Sequence, residues 1–257
     1  MIPRISLVMP YYDNPGMLAK HYATWAAFPD HLKRRIEIVI VDDGSPGVAA
    51  AEVPRPKGLP SLKIFRVTVD LPWHQHAARN IGAHEARGPF LLLTDMDLLV
   101  PENTFVELLN LTPDRESVVY TFLRIDADTM QPKLHPTTGE EHPHPNTFAM
   151  SKEFYWRVGG YDEDYCGIYG TDGLFRKKLW KIAKHEPLRL PIIRYSREVL
   201  PDASTTSLPR KEGREEGAKQ RIDDLKRKDG TFGKPKVLSM PYLTAYKFDP
   251  YARTRAR

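Results

Sequence analysis

The stretch Pro89-Phe90-Leu91-Leu92-Leu93-Thr94-Asp95-Met96-Asp97-Leu98-Leu99-Val100 constrains this chain more than any other. An apolar run of strand length ends in two carboxylates one residue apart, and a second apolar run follows. Acids beside a buried strand are costly unless a cation or hydrogen-bond donors compensate them. Asp-x-Asp at a strand end is therefore a natural seat for a hard divalent ion, Mn²⁺ or Mg²⁺, which takes oxygen ligands and bridges phosphates. The alternative is a surface turn whose aspartates cap the next element.

The pattern around this stretch is an alternation of strands and helices. Ile5–Met9, Ile36–Val41, Leu62–Val69 and Phe90–Thr94 read as strands, and Thr147–Met150 as another. Between them, Asn14 to Phe28 reads as a helix with an Asx cap before proline, and Pro101–Leu109 as another. His74–Ala86 is a helix with small residues on one face, which permits close approach to a sheet. Such an order implies an α/β fold with a mostly parallel sheet whose faces are covered by helices. Ligands of such sheets sit at the carboxyl ends of the strands. Asp42-Asp43 and Asp95-Met96-Asp97 both fall there.

Length and composition set the outer limits. A chain of 257 residues suits one large domain, or a domain with a tail. The single cysteine, Cys166, excludes an internal disulfide, so a cytoplasmic location is expected. No apolar segment is long enough to predict a signal peptide or a membrane span. Charge is uneven: from Pro209 to Arg257 there are 14 Lys/Arg and 7 Asp/Glu, a net of +7, while the whole chain is +5, leaving −2 for residues 1–208. The basic end is expected to be a solvated tail, or a contact for a polyanion or an anionic surface.

Five motifs occur in a telling order. They are Ser6-Leu7-Val8-Met9-Pro10-Tyr11-Tyr12-Asp13-Asn14, Ile38-Val39-Ile40-Val41-Asp42-Asp43-Gly44-Ser45, Ala77-Ala78-Arg79-Asn80-Ile81-Gly82, Thr94-Asp95-Met96-Asp97, and Gly159-Gly160-Tyr161-Asp162-Glu163 continuing to Gly170-Thr171-Asp172. The first four resemble the GT-A glycosyltransferases of family 2. The last is similar to the Gly-Gly-Phe-Asp-Glu…Trp-Gly-Gly-Glu-Asp signature of galactosyltransferase-type GT-A enzymes. The resemblance spans roughly residues 4–200. It implies a GT-A (Rossmann-like) domain over 1–208, with a nucleotide-sugar-binding half (1–100) and an acceptor and catalytic half (101–208). Residues 209–257 would form a basic C-terminal segment serving as lid and tail.

The resemblance also implies roles. The donor is a nucleotide sugar, with uridine as the base. Donor contacts fall to Pro10, Tyr11, Asp42, Asp43, Arg79, Asn80 and Asp95; for Arg79, a guanidinium fork suits phosphate oxygens. Asp95 and Asp97 hold Mn²⁺ or Mg²⁺, a Lewis acid for the departing nucleoside diphosphate. Asp172 is the general base for the acceptor hydroxyl, so the anomeric configuration inverts. Asp162, Glu163 and Asp164 are candidates for acceptor hydrogen bonds. The third metal ligand is open: the family's histidine is missing near Leu200-Pro201-Asp202, where Asp202 or His185 are the substitutes considered. Each assignment has a plain rival: turn stabilisation for Asp42 and Asp43, a surface ion pair for Arg79, a helix cap for Asp172.

His142-Pro143-His144-Pro145 looks like a metal tract, but its prolines hold an extended conformation and it reads as a loop. Trp73 and His74 lie near the expected diphosphate. Gln220–Lys228 reads as a short polar helix, and Arg210 or Lys211 as lid residues. Tyr242, Tyr246, Phe248 and Tyr251 interleave with basic residues, a pattern that suits nucleic acid or a packed tail. Four readings follow: a glycosyltransferase acting on a glycan or other hydroxyl acceptor; the same chemistry on a hydroxylated base of modified DNA; a nucleotidyltransferase, which lacks its glycine-rich phosphate loop here; and a non-catalytic sugar-nucleotide-binding module.

Overall fold

The computed structural model describes residues 2–71, 73–111, 117–168, 170–203, 223 and 235–252. Among these, ten strands form one sheet: β1 (Ile5–Tyr11), β2 (Ile36–Asp42), β3 (Ser61–Val67), β4 (Phe90–Leu93), β5 (Leu98–Leu99), β6 (Val118–Asp126), β7 (Gln131–Pro132), β8 (Phe148–Ser151), β9 (Lys184–Arg194) and β10 (Tyr242–Phe248). The spatial order is β10-β3-β2-β1-β4-β8-β6-β9-β5, with β7 on β6. The block β3-β2-β1-β4 is parallel throughout, as the sequence predicts. Past β4 the sheet is mixed, because β8 runs antiparallel to both β4 and β6, and β9 is parallel to β6.

Burial of β1, β2 and β4 on both faces explains their unbroken apolar runs. Ile5, Leu7, Met9, Ile36, Ile38 and Ile40 point to one core, with Trp25 of helix α1 (Pro15–Ala27) and Phe105 of α4 (Glu102–Asn110). Val8, Val39 and Val41 point to the other, with Ala78 and Ile81 of α3 (Gln75–Glu85), Phe154 of α5 (Lys152–Val158) and Phe175 of α6 (Asp172–Ile182). A further one-turn helix, α2 (Asp30–Lys33), precedes β2. Asn14 caps α1 through Met17 N–H, with Pro15 in the first turn, as expected. The small face of α3 has its reason at Gly82, where a Cβ would overlap the side chain of Val8.

The aromatic and basic C-terminal stretch is β10, an edge strand antiparallel to β3. Its rings have protein partners: Tyr242 packs on Phe65, and Tyr246 lies under the Arg55 guanidinium at 4.2 Å. The predicted Gln220–Lys228 helix lies outside the described residues apart from Asp223, and Arg210 and Lys211 lie outside them entirely. No helix among the described residues is long and apolar enough to cross a membrane.

At the amino ends of the parallel strands a fully buried carboxylate ties the block together. Glu37 accepts from Ser6 Oγ (2.6 Å), Arg87 Nε (3.0 Å) and Gly88 N (3.1 Å), and faces Lys63 Nζ at 3.4 Å. Burial pushes its pKa up, but the Ser6 hydrogen bond, Lys63 and Arg87 outweigh it and hold the carboxyl below its ordinary value. Arg87 also reaches Asp249, just past β10. Glu37→Ala strands these donors and should lower the unfolding free energy by about 3 kcal/mol in denaturant titration.

Two imidazoles generate a pH prediction. Burial pushes His21 and His76 down to about 4. The unfolded chain takes up these protons near pH 6.5 and the folded chain only near 4, so stability is complete above pH 6.5 and is lost as pH falls. The slope should reach up to about 1.4 kcal/mol per pH unit for each imidazole. Equal urea midpoints at pH 7 and pH 5 would sink this account.

Candidate active site

The site lies where the parallel strands end, and its floor is the turn after β4. Thr94 N–H still donates to Val8 O at 3.1 Å, and the next residues leave the sheet. Asp95 and Asp97 project from this turn, each about one-fifth exposed. His144 joins them, and one ligand atom from each of the three residues falls within 4.8 Å of the others. His144 Nε2 lies 3.8 Å from Asp95 Oδ2. Burial pushes this imidazole down to about 4, so it is neutral at physiological pH, the form that ligates metals. Its Nδ1 accepts from Asn146 N and lies 3.3 Å from Thr147 Oγ1.

Two cations partner the carboxylates. Arg79, fully buried on α3, donates from Nη2 to Asp95 Oδ1. Arg194, at the end of β9, lies 3.5 Å from Asp97 Oδ2. Burial, then the neighbouring Asp95, still push the Asp97 carboxyl up to about 7. A pair of oxygens and one imidazole nitrogen converging beside an under-compensated carboxylate fits a divalent cation such as Mn²⁺ or Mg²⁺. Of the substitutes considered for the third ligand, His185 instead pairs through Nε2 with Thr121 Oγ1 at 2.7 Å, and Asp202 is absent from the cluster.

Asp172 begins α6 and lies 3.6 Å from Arg176 one turn on. The helix-cap position belongs to Thr171, so the cap rival for Asp172 is not what the structure contains. Arg176 Nη1 donates to Asn146 Oδ1 (3.4 Å), and Asn146 Nδ2 donates to Asp95 Oδ2 (3.3 Å). Polar contacts therefore run unbroken from Asp172 to the carboxylate cluster. Beside them opens a cavity of about 400 Å³, walled by His144, Arg176 and Trp180.

At the end of β2 the two aspartates divide their work. Asp42 accepts from Ser45 N and Ala50 N, both at 2.8 Å, and so holds the turn. Asp43 is buried, and its Oδ1 has no hydrogen bond although His74 Nδ1 is 3.4 Å away. Burial, then Asp42 and Asp70, push the Asp43 carboxyl well above its ordinary value. Both ring nitrogens of His74 are likewise without a hydrogen bond. Pro10 is partly exposed on β1.

Three of the expected ligand contacts have partners inside the protein. The Tyr11 ring is fully buried and its hydroxyl donates to Val48 O (2.7 Å), so it packs the core instead of lining a ligand pocket. Asn80 spends its whole amide inside the protein: Nδ2 donates to Tyr161 O (2.7 Å) and Glu163 Oε1 (2.8 Å), while Oδ1 accepts from Tyr155 Oη (2.6 Å) and Tyr161 N (3.0 Å). Glu163 is equally committed, accepting also from Leu238 N (2.7 Å), Ser239 N (2.8 Å) and Ser239 Oγ (2.7 Å). Asp162 accepts from Asp164 N and Lys236 N, both at 3.2 Å, whereas Asp164 is exposed beside Lys236. His144, Asn146 and Arg194 are the site residues that the sequence did not assign. The His-Pro-His-Pro tract was the signal for the first.

A family model described as "Glycosyl transferase family 2" matches residues 6–179. Curated relatives include undecaprenyl-phosphate 4-deoxy-4-formamido-L-arabinose transferases. That of Aeromonas hydrophila is 26% identical over 128 residues, half of this chain and 39% of the relative. That of Pseudomonas savastanoi is 29% identical over 117 residues, 46% of this chain and 35% of the relative. The chain thus spans well under half the length of these relatives. Solved structures share the fold: S. aureus TarS 1-349 in complex with UDP-GlcNAc (TM-score 0.56, 16% identity, 79% of this chain and 61% of that one). A mannosyltransferase from Pyrobaculum calidifontis in complex with GDP-Man and Mn²⁺ is similar too (TM-score 0.54, 15% identity, 76% and 57%).

The Glu163 clasp can be tested directly. Glu163→Gln puts an amide against Ser239 N–H and should cost about 2 kcal/mol locally, speeding amide exchange at Leu238 and Ser239 by roughly thirtyfold. Unchanged exchange there would mean that the segment is held by something else.

Proposed function

This chain belongs to glycosyl transferase family 2, and from that membership we propose that it transfers a sugar from a uridine diphosphate sugar to an acceptor hydroxyl, with inversion, in a divalent-metal-dependent reaction. The observation that carries this reading is the Asp95–Asp97–His144 cluster at the strand ends, joined through Asn146 and Arg176 to Asp172. When bound there, Mn²⁺ or Mg²⁺ supplies Lewis-acid stabilisation of the nucleoside diphosphate leaving group. Asp95, Asp97 and His144 would hold the ion, and Arg79 orients Asp95. Asp43, with His74 beside it, offers the base and ribose an unsatisfied buried acceptor. Asp172 takes the proton of the attacking hydroxyl, and Arg176, which lines the cavity, pairs with that carboxylate. Residues 1–100 then carry the donor and residues 101–208 the acceptor chemistry, while β10, within 209–257, extends the sheet on β3.

The curated relatives favour a second reading of the acceptor. They are named for undecaprenyl phosphate, and a phosphate oxygen attacks without surrendering a proton. The two readings differ at Asp172. A hydroxyl acceptor needs a base, so Asp172→Asn should lower turnover by a factor of about 10²–10⁴ while leaving donor binding intact. A phosphate acceptor leaves that variant active. Transfer to a hydroxylated base of modified DNA keeps the same chemistry, and salt-sensitive duplex binding is its mark.

The first test is thermal unfolding with UDP, GDP and UDP-sugars, each with Mn²⁺, Mg²⁺ or chelator. A ligand at one hundred times its Kd raises stability by about 2.7 kcal/mol. The expected outcome is a shift with uridine nucleotides that requires the metal and disappears in Asp97→Ala. A shift of equal size in chelator would sink the metal-dependent reading.

A further inference from the structure

The turn that carries Asp95 and Asp97 is held by its backbone as well as by its side chains. Asp95 O accepts from Leu98 N (3.2 Å), and Asp97 O accepts from Tyr195 N (2.8 Å). The carbonyl between them, Met96 O, lies 2.8 Å from Nε2 of His21, which sits on α1, 75 residues earlier in the chain. His21 is fully buried, stacked on Trp25 with ring centroids 5.0 Å apart, and its Nδ1 has no hydrogen-bond partner. A carbonyl oxygen only accepts, so Nε2 carries the proton and donates it. Burying an imidazole is costly compared with an apolar side chain of the same size, and this one makes a single hydrogen bond. Helix α1 gains nothing from it that a phenylalanine would not provide.

We propose that His21 is a positioning residue for the metal site: its Nε2–H, bound to Met96 O, fixes the peptide between the two ligand carboxylates and so sets their separation. The inference rests on the reading of Asp95 and Asp97 as metal ligands. The Met96 carbonyl belongs to the Met96–Asp97 peptide, so rotation of that peptide would turn Asp97 relative to Asp95. A ligand set tolerates displacements of only about 0.5 Å before affinity falls. The other holds on the turn act at its two ends, through Leu98 and Tyr195, and leave the middle carbonyl to His21 alone among the described contacts.

Calorimetric titration of MnCl₂ into the full chain tests this, with wild type, His21→Phe, His21→Gln and Asp97→Ala compared. His21→Phe keeps the ring on Trp25 and removes the donor; His21→Gln keeps an N–H donor without the ring. The expected result is Mn²⁺ binding weakened by about 10–100-fold in His21→Phe, the range found for residues that orient ligands, and restored to within a few-fold in His21→Gln. Thermal unfolding in chelator reports whether each variant folds, and His21→Leu replaces His21→Phe if the latter does not. Wild-type affinity in the donor-less variant overturns the proposal, and so does equal weakening in both variants, which would mark a packing role. Failure of the underlying reading looks different: wild type and Asp97→Ala would then bind Mn²⁺ alike, or not at all, and the proposal would fall with it.

Discussion

A guanidinium withdrawn completely from water persists only beside a carboxylate, and that constraint organises this molecule. Arg79 is fully buried, and it meets Asp95. Removing both charges from water costs several kcal/mol per ion unless geometry and further hydrogen bonds repay it. Helix α3 must therefore approach the sheet closely enough for Arg79 to reach the turn after β4, which is why Gly82 crosses Val8 without a Cβ. The Tyr161 ring lies under the guanidinium at 5.5 Å, adding an attraction that needs no second acid. The next residue, Asn80, then pins the Tyr161–Glu163 stretch, and Glu163 in turn pins Leu238 and Ser239. One pair of adjacent polar residues on one helix thus connects the strand-end carboxylates to the chain entering the edge strand β10.

The two halves of the sheet contribute different things. The parallel block, locked at its amino end by Glu37, presents Asp43 and Asp95 from strands that cannot shift relative to one another. The mixed half supplies the side chains that complete the site: His144 and Asn146 precede β8, Arg194 ends β9, and Asp172 begins α6. Since β8 is antiparallel to β4, with Phe148 opposite Leu93, the segment before β8 arrives beside the turn after β4. That register is what brings a histidine 47 positions downstream of Asp97 within reach of it. Asn146 then serves both neighbours at once, with its carbonyl toward Arg176 and its amide toward Asp95.

What the sequence revealed and what it hid divide along a physical line. The parallel strands and the Asp95–Asp97 pair were legible because local pattern determines them: apolar runs must be buried, and acids at their ends must be compensated. Asn14-Pro15 announced a helix start for the same reason, since the cap is satisfied within three residues. The internal hydrogen bonds of Asn80 and Glu163 were hidden because they go to groups 75 to 83 positions away. Nothing local says that an amide or carboxylate is already saturated. His144 was hidden similarly: the prolines around it argued against convergence of His142 and His144 with each other, but the convergence that matters is with a turn on another strand. The rings of β10 read equally as nucleic-acid stackers or as packing because only strand register decides which face they show.

The distribution of charge at the strand-end turn explains why a divalent cation is the natural complement. Arg79 is committed to Asp95, so the second carboxylate receives less. Arg194 stands off at 3.5 Å, and the His144 imidazole beside Asp95 is neutral because burial denies it a proton. Burial, then the neighbouring Asp95, push the Asp97 carboxyl up despite Arg194. A proton relieves only one oxygen of one acid. A divalent ion held there would relieve both acids together, and would take the neutral imidazole as a ligand where a protonated one would repel it. A monovalent ion would satisfy the pair and leave little for the substrate.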